Sequence, residues 1–140
     1  MKVSSRFTVA VHTVLCIAHF QDEYKVTSDF IASSTNVNPV IIRNILGQLQ
    51  GAGLVSTKAG VGGSELIGKP SEITLLDIYK AVTAEEEDDR LVFNFHTNPN
   101  KKCPVGSKIH DVLDPCLTDA QTAMEKQLQK TSVKDLLNRL

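Results

Sequence analysis

The feature of this sequence that most constrains the fold is a helix whose start and end are both marked in the residues. Asn38 can cap this helix, and Pro39 suits its first position because no hydrogen-bond donor is needed there. Gly53 can end the helix in a left-handed conformation. Apolar residues at helical spacing predict its buried side: Ile42, Ile45, Leu46 and Leu49. The opposite side is predicted to face outward and carries Val40, Arg43, Asn44, Gly47 and Gln48.

A glycine-rich stretch follows this helix. We expect a strand over residues 54–58, a turn over 59–63 and a returning strand over 64–67. A nucleotide-binding loop runs from a strand into a helix, and in its Walker form a Lys-Ser/Thr pair follows the glycines. Here the glycines join two strands and no such pair follows, so a nucleotide site is disfavoured. Taken alone, the stretch would also suit a purely structural hairpin.

The order of elements favours a function for this hairpin. A first helix is predicted from apolar residues at helical spacing between Phe7 and Ala18. A second, short helix is capped by Thr27 and ends near Ser34, where turn-forming residues begin. This order of elements along the chain, two helices joined by a turn and followed by a hairpin, is typical of a winged helix-turn-helix. In that fold the second helix enters the major groove of DNA while the hairpin contacts the backbone. We therefore predict a mainly α fold with a small β-hairpin that binds double-stranded DNA.

The C-terminal half is predicted to be helical on both sides of a loop. One helix covers the apolar residues from Ile73 to Val82, and residues 84–107 form a polar loop. An apolar stripe then runs from Ile109 to Leu128, within which Pro115 predicts a kink or a helix that starts there. A final short helix is predicted to start after Ser132, which forms a capping-box pattern with Asp135.

The long stripe predicts a homodimer. It is longer than a small N-terminal domain can cover, so a second copy is expected to bury part of the 108–130 helix. The alternative is a helix packed only on its own chain. We divide the chain into a winged helix-turn-helix DNA-binding domain at 1–83, a loop that is a candidate sensor segment at 84–107, and a dimerisation helix with the C-terminal helix at 108–140.

The composition indicates the cellular compartment and the class of binding partner. The first seventy residues carry six Lys and Arg against four Asp and Glu, a small excess that favours a polyanion partner there. Aromatic residues make up only 5% of the chain, which argues against a single-strand binder built on base stacking. The N-terminal apolar run is interrupted by His12 and His19 and is too short to span a bilayer. With three cysteines lacking disulfide-scaffold spacing, we expect a cytoplasmic protein without a membrane partner.

Three stretches of the chain resemble a known family. They are "MKVSSRFTVAVHTVLCIA", "IASSTNVNPVIIRNILGQLQGAGLVSTKAGVGGSEL" and "LQKTSVKDLL". Together they resemble the Rrf-two family of bacterial winged-helix transcription regulators. The resemblance implies a homodimer held by a long C-terminal helix, bound to a palindromic DNA operator. Our hypothesis is a sequence-specific transcription regulator, with repression as the expected mode of action.

The resemblance also implies which residues contact DNA. The reading helix would use Val40, Arg43 and Asn44, the hairpin would use residues 58–63, and Arg6 and the region around Ser28 would contact the backbone. The complete set of candidates is Arg6, Ser28, Asn38, Val40, Arg43, Asn44, Gln48, Lys58, Gly60, Gly62 and Gly63. Many family members have Arg where Ala59 stands and an aromatic residue where Glu65 stands, so a weaker hairpin contact or a different operator is expected.

The cysteines bear on what the regulator senses. Several members of the family hold an iron–sulfur cluster on three closely spaced cysteines in the loop before the dimer helix. Here that loop contains only Cys103, while Cys16 and Cys116 lie on helices, so we expect no cluster and no other metal or cofactor. Lys101 and Lys102 precede Cys103, and positive charge lowers a thiol pKa, so Cys103 is a candidate redox sensor. The alternative is an ordinary loop cysteine.

The sequence disfavours a metal site on the first helix and an enzymatic function. His12, Cys16 and His19 share a helix face but span ~10 Å along the axis, which favours core or interface residues over a metal site. No nucleophile elbow, HExxH motif or Walker loop is present, so we expect a protein that is not an enzyme. The remaining alternative is a winged-helix module that binds another protein without specific DNA readout.

Overall fold

A computed structural model describes residues 5–58, 62–83 and 91–140 of the chain. The helices, labelled in chain order, are α1 (Ser5–Phe20), α2 (Ser28–Thr35), α3 (Pro39–Gly51), α4 (Leu75–Val82), α5 (Ile109–Gln129) and α6 (Val133–Leu137). Two antiparallel strands, β1 (Val55–Lys58) and β2 (Gly63–Leu66), form a hairpin after α3. The predicted class, mainly α with a small β-hairpin and a long helix near the C-terminus, is confirmed.

Local capping signals fix the start of the helix-turn-helix. The Thr27 hydroxyl accepts a hydrogen bond from the Phe30 amide (3.1 Å), and the Asn38 side chain accepts one from Val40 (2.8 Å). Pro39 occupies the first turn of α3, as predicted. Helix α2 extends to Thr35, one residue beyond the predicted end, because the left-handed turn falls on Asn36 (φ 56°).

The end of α3 turns the chain directly into the hairpin. Gly53 adopts φ 76°, and its amide bonds to the Gln50 carbonyl (3.0 Å) while the Leu54 amide bonds to the Leu49 carbonyl (3.0 Å). This pair of bonds is a Schellman motif, which satisfies the last carbonyls of the helix. It confirms the predicted role of Gly53, and it also keeps Leu54 out of the strand that was predicted to include it.

One hydrophobic core joins the first four helices and the hairpin. The fully buried side chains include Ile17 of α1, Ile31 of α2, Ile42, Ile45 and Leu49 of α3, Val55 of β1 and Ile78 of α4. Cys16 is also buried, at 5% exposure, as expected for a packing residue. Because one side of α3 is locked into this core, its other side must face outward. His12 and His19 are exposed rather than part of the core.

The short helix α6 returns to the N-terminal helices. Val133 is fully buried, and its amide bonds to the Ile73 carbonyl (2.8 Å). The predicted capping box is present, with reciprocal bonds between Ser132 and Asp135. Ile73 itself precedes α4 rather than belonging to it, because Thr74 caps that helix. The division of the chain into domains stays a prediction, and α6 packs against α1 and the turn before α4.

Helix α5 runs for 21 residues with Pro115 inside it. The alternative of a helix that starts at Pro115 is wrong, since α5 already begins at Ile109. Pro115 offers no N–H to the carbonyl one turn earlier, yet loss of a single bond does not end the helix. None of the helix's residues is fully buried, and Val112 is 65% exposed. No helix in the described part of the chain is long and apolar enough to cross a membrane.

Candidate nucleic-acid interface

The outward side of α3 carries the predicted reading residues. Arg43 and Asn44 are exposed, and Val40 keeps 53% of its surface exposed. Ile41 is also 43% exposed, which the sequence did not indicate. Asn38 is exposed as well, but its side-chain oxygen is used to cap the helix. The structure therefore presents a guanidinium, a carboxamide and an apolar side chain together on one surface.

Gln48 differs from the other residues of this surface. It is half-buried, and its side-chain oxygen accepts a hydrogen bond from Nε of Arg6 (2.8 Å). The two residues were predicted separately, one as a base contact and one as a backbone contact, and the structure brings them together. The bond ties the start of α1 to the last turn of α3, so Gln48 has a positioning role in addition to any contact with DNA.

Two grooves flank α3. The first, of about 840 Å³, lies between α3, the start of α1 and α4, and its charged lining residues are Arg6, Arg43, Asp77 and Lys80. The second, of about 350 Å³, lies between α3, the start of α2 and the hairpin, and its lining includes Thr27, Ser28, Arg43, Thr57 and Lys58. Arg43 and Gly47 line both grooves. The outward side of α3 is thus a ridge with a cation-bearing groove on each flank.

The hairpin is fixed to the turn between α1 and α2. The Ser64 amide donates to the Val26 carbonyl (2.9 Å), and the Leu66 amide donates to the side-chain oxygen of Gln21 (2.9 Å). Gly63 adopts φ 68°, and a Cβ there would lie 2.8 Å from the Val26 nitrogen. Only glycine fits this close approach of two backbones. Gln21 carries no sequence signal for this role, because its partner lies 45 positions away.

The predicted hairpin residues are placed only in part. Lys58 is exposed and ends β1 opposite Gly63. Gly62 lies so close to the Lys58 side chain that any Cβ on it would clash with the Lys58 Cβ. Gly60 lies outside the described residues. The structure thus describes both sides of the tip but not the tip itself.

The environment of Cys103 differs from the one predicted. The thiol is half-buried, and the backbone amides of Gly106 and Val105 lower its pKa by donating hydrogen bonds to the sulfur. The cause is therefore the turn that follows Cys103 rather than the charge of the two preceding lysines. An amide that donates to sulfur stabilises the thiolate, which is the reactive form. Cys116, in contrast, is exposed on α5.

A third groove lies beside this turn. It measures about 500 Å³ and is lined by residues that include Phe95, His96, Lys101, His110 and Asp114. Nδ1 of His110 lies 3.0 Å from the Asp114 carboxylate, and the His96 and His110 rings are 5.1 Å apart. Within the described part of the chain, no group of three or more His, Cys, Asp or Glu side chains is arranged to hold a metal ion.

Comparison with known proteins places these features in a family. The family model described as Rrf2, an iron-dependent transcriptional regulator, matches residues 3–139. The donors in this chain do not fit an iron–sulfur cluster, which is held by several cysteine thiolates. Cys103 is half-buried in a loop, Cys16 is buried inside α1 and Cys116 is exposed on α5.

Relatives of known sequence or structure agree on the fold. YwnA of Bacillus subtilis (strain 168), provisionally named an HTH-type transcriptional regulator, is 42% identical over 138 residues, covering 99% of this chain and 98% of its own. A crystal structure provisionally described as a DNA-binding protein is 38% identical, with a TM-score of 0.75 over 95% of this chain and 99% of its own.

A transcriptional regulator from Lactobacillus plantarum, also provisionally described, is 27% identical, with a TM-score of 0.74 over 94% of this chain and 87% of its own. The family and the curated relative are transcriptional regulators rather than enzymes. With the winged helix-turn-helix architecture and a family match over nearly its whole length, this chain belongs to the Rrf2 family of transcriptional regulators.

Proposed function

We propose that this protein is a cytoplasmic homodimer that binds an inverted-repeat operator and represses transcription from it. The observation that carries the proposal is the ridge of α3, which exposes Arg43, Asn44 and Val40 between two cation-bearing grooves. The major groove of B-DNA is ~12 Å wide and admits one helix. In such a complex the ridge meets base edges while the flanking grooves meet the two phosphate backbones.

Each exposed side chain suits a particular base feature. Arginine pairs with the O6 and N7 acceptors of guanine, and asparagine pairs with N6 and N7 of adenine. An apolar side chain such as Val40 contacts a thymine methyl group. We assign Arg43, Asn44 and Val40 to these contacts, and Ser28, Lys58 and the glycines of the hairpin to phosphates. Ser28 begins α2, and the N-terminus of a helix favours an anion.

The exposed side of α5 is the basis for proposing a dimer. Ile109, Leu113, Cys116, Ala120 and Ala123 follow the alternating spacing of four and three residues that forms a helix–helix seam. Cys116, Ala120 and Ala123 are exposed, and Leu113 is 39% exposed. A second copy of this helix is the occupant that family membership favours, and it would place two reading helices on one face of the duplex.

The test of this function is a salt titration of DNA binding by the purified full chain, on fragments recovered by mapping bound genomic sites. A dimer that contacts six to ten phosphates should lose about 10³–10⁵ in affinity between 50 and 200 mM salt. Sedimentation equilibrium should give twice the chain mass of 15.3 kDa. Binding that is absent, or insensitive to salt, would favour the alternative of a protein–protein module, and a monomer would contradict the dimer.

We also propose that Cys103 makes DNA binding responsive to oxidation. The thiolate attacks one oxygen of hydrogen peroxide, so that an S–O bond forms and the O–O bond breaks; sulfur is oxidised to sulfenic acid, and the peroxide is reduced and leaves as hydroxide. Amide donors at Gly106 and Val105 favour the thiolate that this step needs, because they lower the pKa of Cys103. The turn lies directly before α5, so a change in it can alter how the dimer helix meets the DNA-binding part.

Cys103→Ser should remove the effect of peroxide on DNA affinity, and Cys116→Ser should leave it. Near neutral pH, Cys103 should also react with iodoacetamide faster in the folded protein than in the urea-unfolded protein, because the turn amides that lower its pKa are lost on unfolding. Mass spectrometry of the alkylated protein measures both rates. A Cys103→Ser protein that responds to peroxide like the wild type would refute the sensor role.

A further inference from the structure

The groove on the α1 and α4 side of α3 contains a cation that the sequence did not single out. Lys80 lies on α4, and its neighbours Tyr79 and Ala81 are buried at 4% and 5% exposure. These two fix α4 on the core, while Lys80 is exposed and lines the groove together with Arg6 and Arg43. The helix therefore holds this ammonium group at the edge of the surface that surrounds the reading helix.

The charge of Lys80 is available to a ligand. Asp77 is the carboxylate that lines the same groove, but its Oδ2 accepts a hydrogen bond from the Thr74 amide (2.9 Å) in the capping box of α4. Within residues 5–58, 62–83 and 91–140, no ion pair joins Lys80 to a carboxylate. Lys80 and Arg43 thus line a groove in which Asp77, the carboxylate of its lining, is already bonded within the capping box of α4.

The position of the groove identifies the ligand. Arg43 and Gly47 line the grooves on both flanks of α3, so the reading ridge separates the two. A helix in the major groove has one phosphate backbone on each side. The groove next to the hairpin provides Lys58 and Ser28 for one strand. The opposite groove, next to α4, would then face the phosphates of the other DNA strand.

We propose that Lys80 binds a phosphate of the DNA strand opposite to the one contacted by the hairpin. This inference rests on the proposed DNA-binding function. It adds a contact from α4, an element outside the helix-turn-helix and the wing. A phosphate contact of this kind carries no base information, so it strengthens binding to every duplex and sets the orientation of α3 in the groove.

The test is the salt dependence of Lys80→Ala, measured by fluorescence anisotropy on a specific fragment and on an unrelated duplex of equal length. Each phosphate contact contributes about −0.9 to the slope of log K against log salt. Because a dimer loses two contacts, the slope should become shallower by about 2. Affinity should fall by a similar factor on both duplexes, and Lys80→Arg should restore the wild-type slope.

Lys126→Ala is the matched control, since Lys126 is exposed on α5 and lines neither groove beside α3. It should leave the slope unchanged.

Lys80→Gln replaces the alanine variant if that variant folds poorly, as judged by thermal unfolding. A wild-type slope in folded Lys80→Ala or Lys80→Gln would overturn the inference and leave the proposed function intact. A loss confined to the specific fragment would also overturn it. Absence of salt-dependent binding by the wild type would overturn the function itself.

Discussion

Replacement of Gly63 by alanine is expected to destabilise the hairpin and to weaken DNA binding. Gly63 has φ 68°, a conformation that costs an alanine ~1–2 kcal/mol. The new Cβ would also stand 2.8 Å from the Val26 backbone nitrogen. Since neither atom belongs to a flexible side chain, the backbones must separate, and the Ser64–Val26 hydrogen bond is strained or lost.

Two measurements separate the effects on stability and on binding. Urea unfolding should show a free energy of unfolding lower by about 1–2 kcal/mol or more in Gly63→Ala. Titration with DNA, under conditions where the variant stays folded, should show a further loss of affinity because the hairpin no longer stands at its place beside α3. Wild-type stability in this variant would show that the hairpin is not held against the α1–α2 turn as described.

Gly51→Ala provides the matched control. Gly51 is helical, and a Cβ added there would meet nothing within 4 Å. Alanine is favoured over glycine in a helix by roughly 0.5–1 kcal/mol, so this variant should be slightly more stable than the wild type. Both substitutions add one methyl group, but they are expected to change the free energy of unfolding in opposite directions. The difference comes only from the backbone conformation and from the room available for the Cβ at each position.

Features set by local chemistry could be predicted from the sequence. The start of α3 follows from Asn38 and Pro39, and its end follows from Gly53, because capping involves residues only a few positions apart. The outward face of α3 follows from the periodicity of its apolar residues. The hairpin was also predicted; β1 starts one residue later than expected because the Schellman turn takes up Leu54, and β2 lies one residue earlier than expected.

Long-range contacts could not be predicted in this way. Arg6 and Gln48 are 42 positions apart, and Gln21 and Leu66 are 45 apart. Polar residues such as these leave no periodic signal, and their partners become clear only when the helices are packed. Lys80 is a similar case, since its place beside α3 depends on how α4 lies on the core. The outward face of α3 could therefore be predicted from the sequence, whereas the residues that line its flanks could not, and the DNA contacts themselves stay a prediction.

Two details of the C-terminal half show how backbone conformation overrides composition. The pKa of Cys103 is lowered, as the neighbouring lysines suggested, but the amides of a turn are the cause. Pro115 is a helix breaker by composition, yet α5 continues through it. In both cases the decisive atoms belong to the main chain, whose path the residue types alone do not specify.

The central claim is that the outward side of α3 reads bases, and Arg43→Ala tests it most directly. The measurement is the affinity of wild type and variant for a set of duplexes in which each base pair of the mapped operator is changed in turn. We expect a loss of about 1–3 kcal/mol on the unaltered operator and loss of discrimination at one base pair of each half-site. Lys58→Ala should instead weaken every duplex alike, since it removes a phosphate contact. An Arg43→Ala protein that keeps the wild-type pattern of base preference would contradict the account.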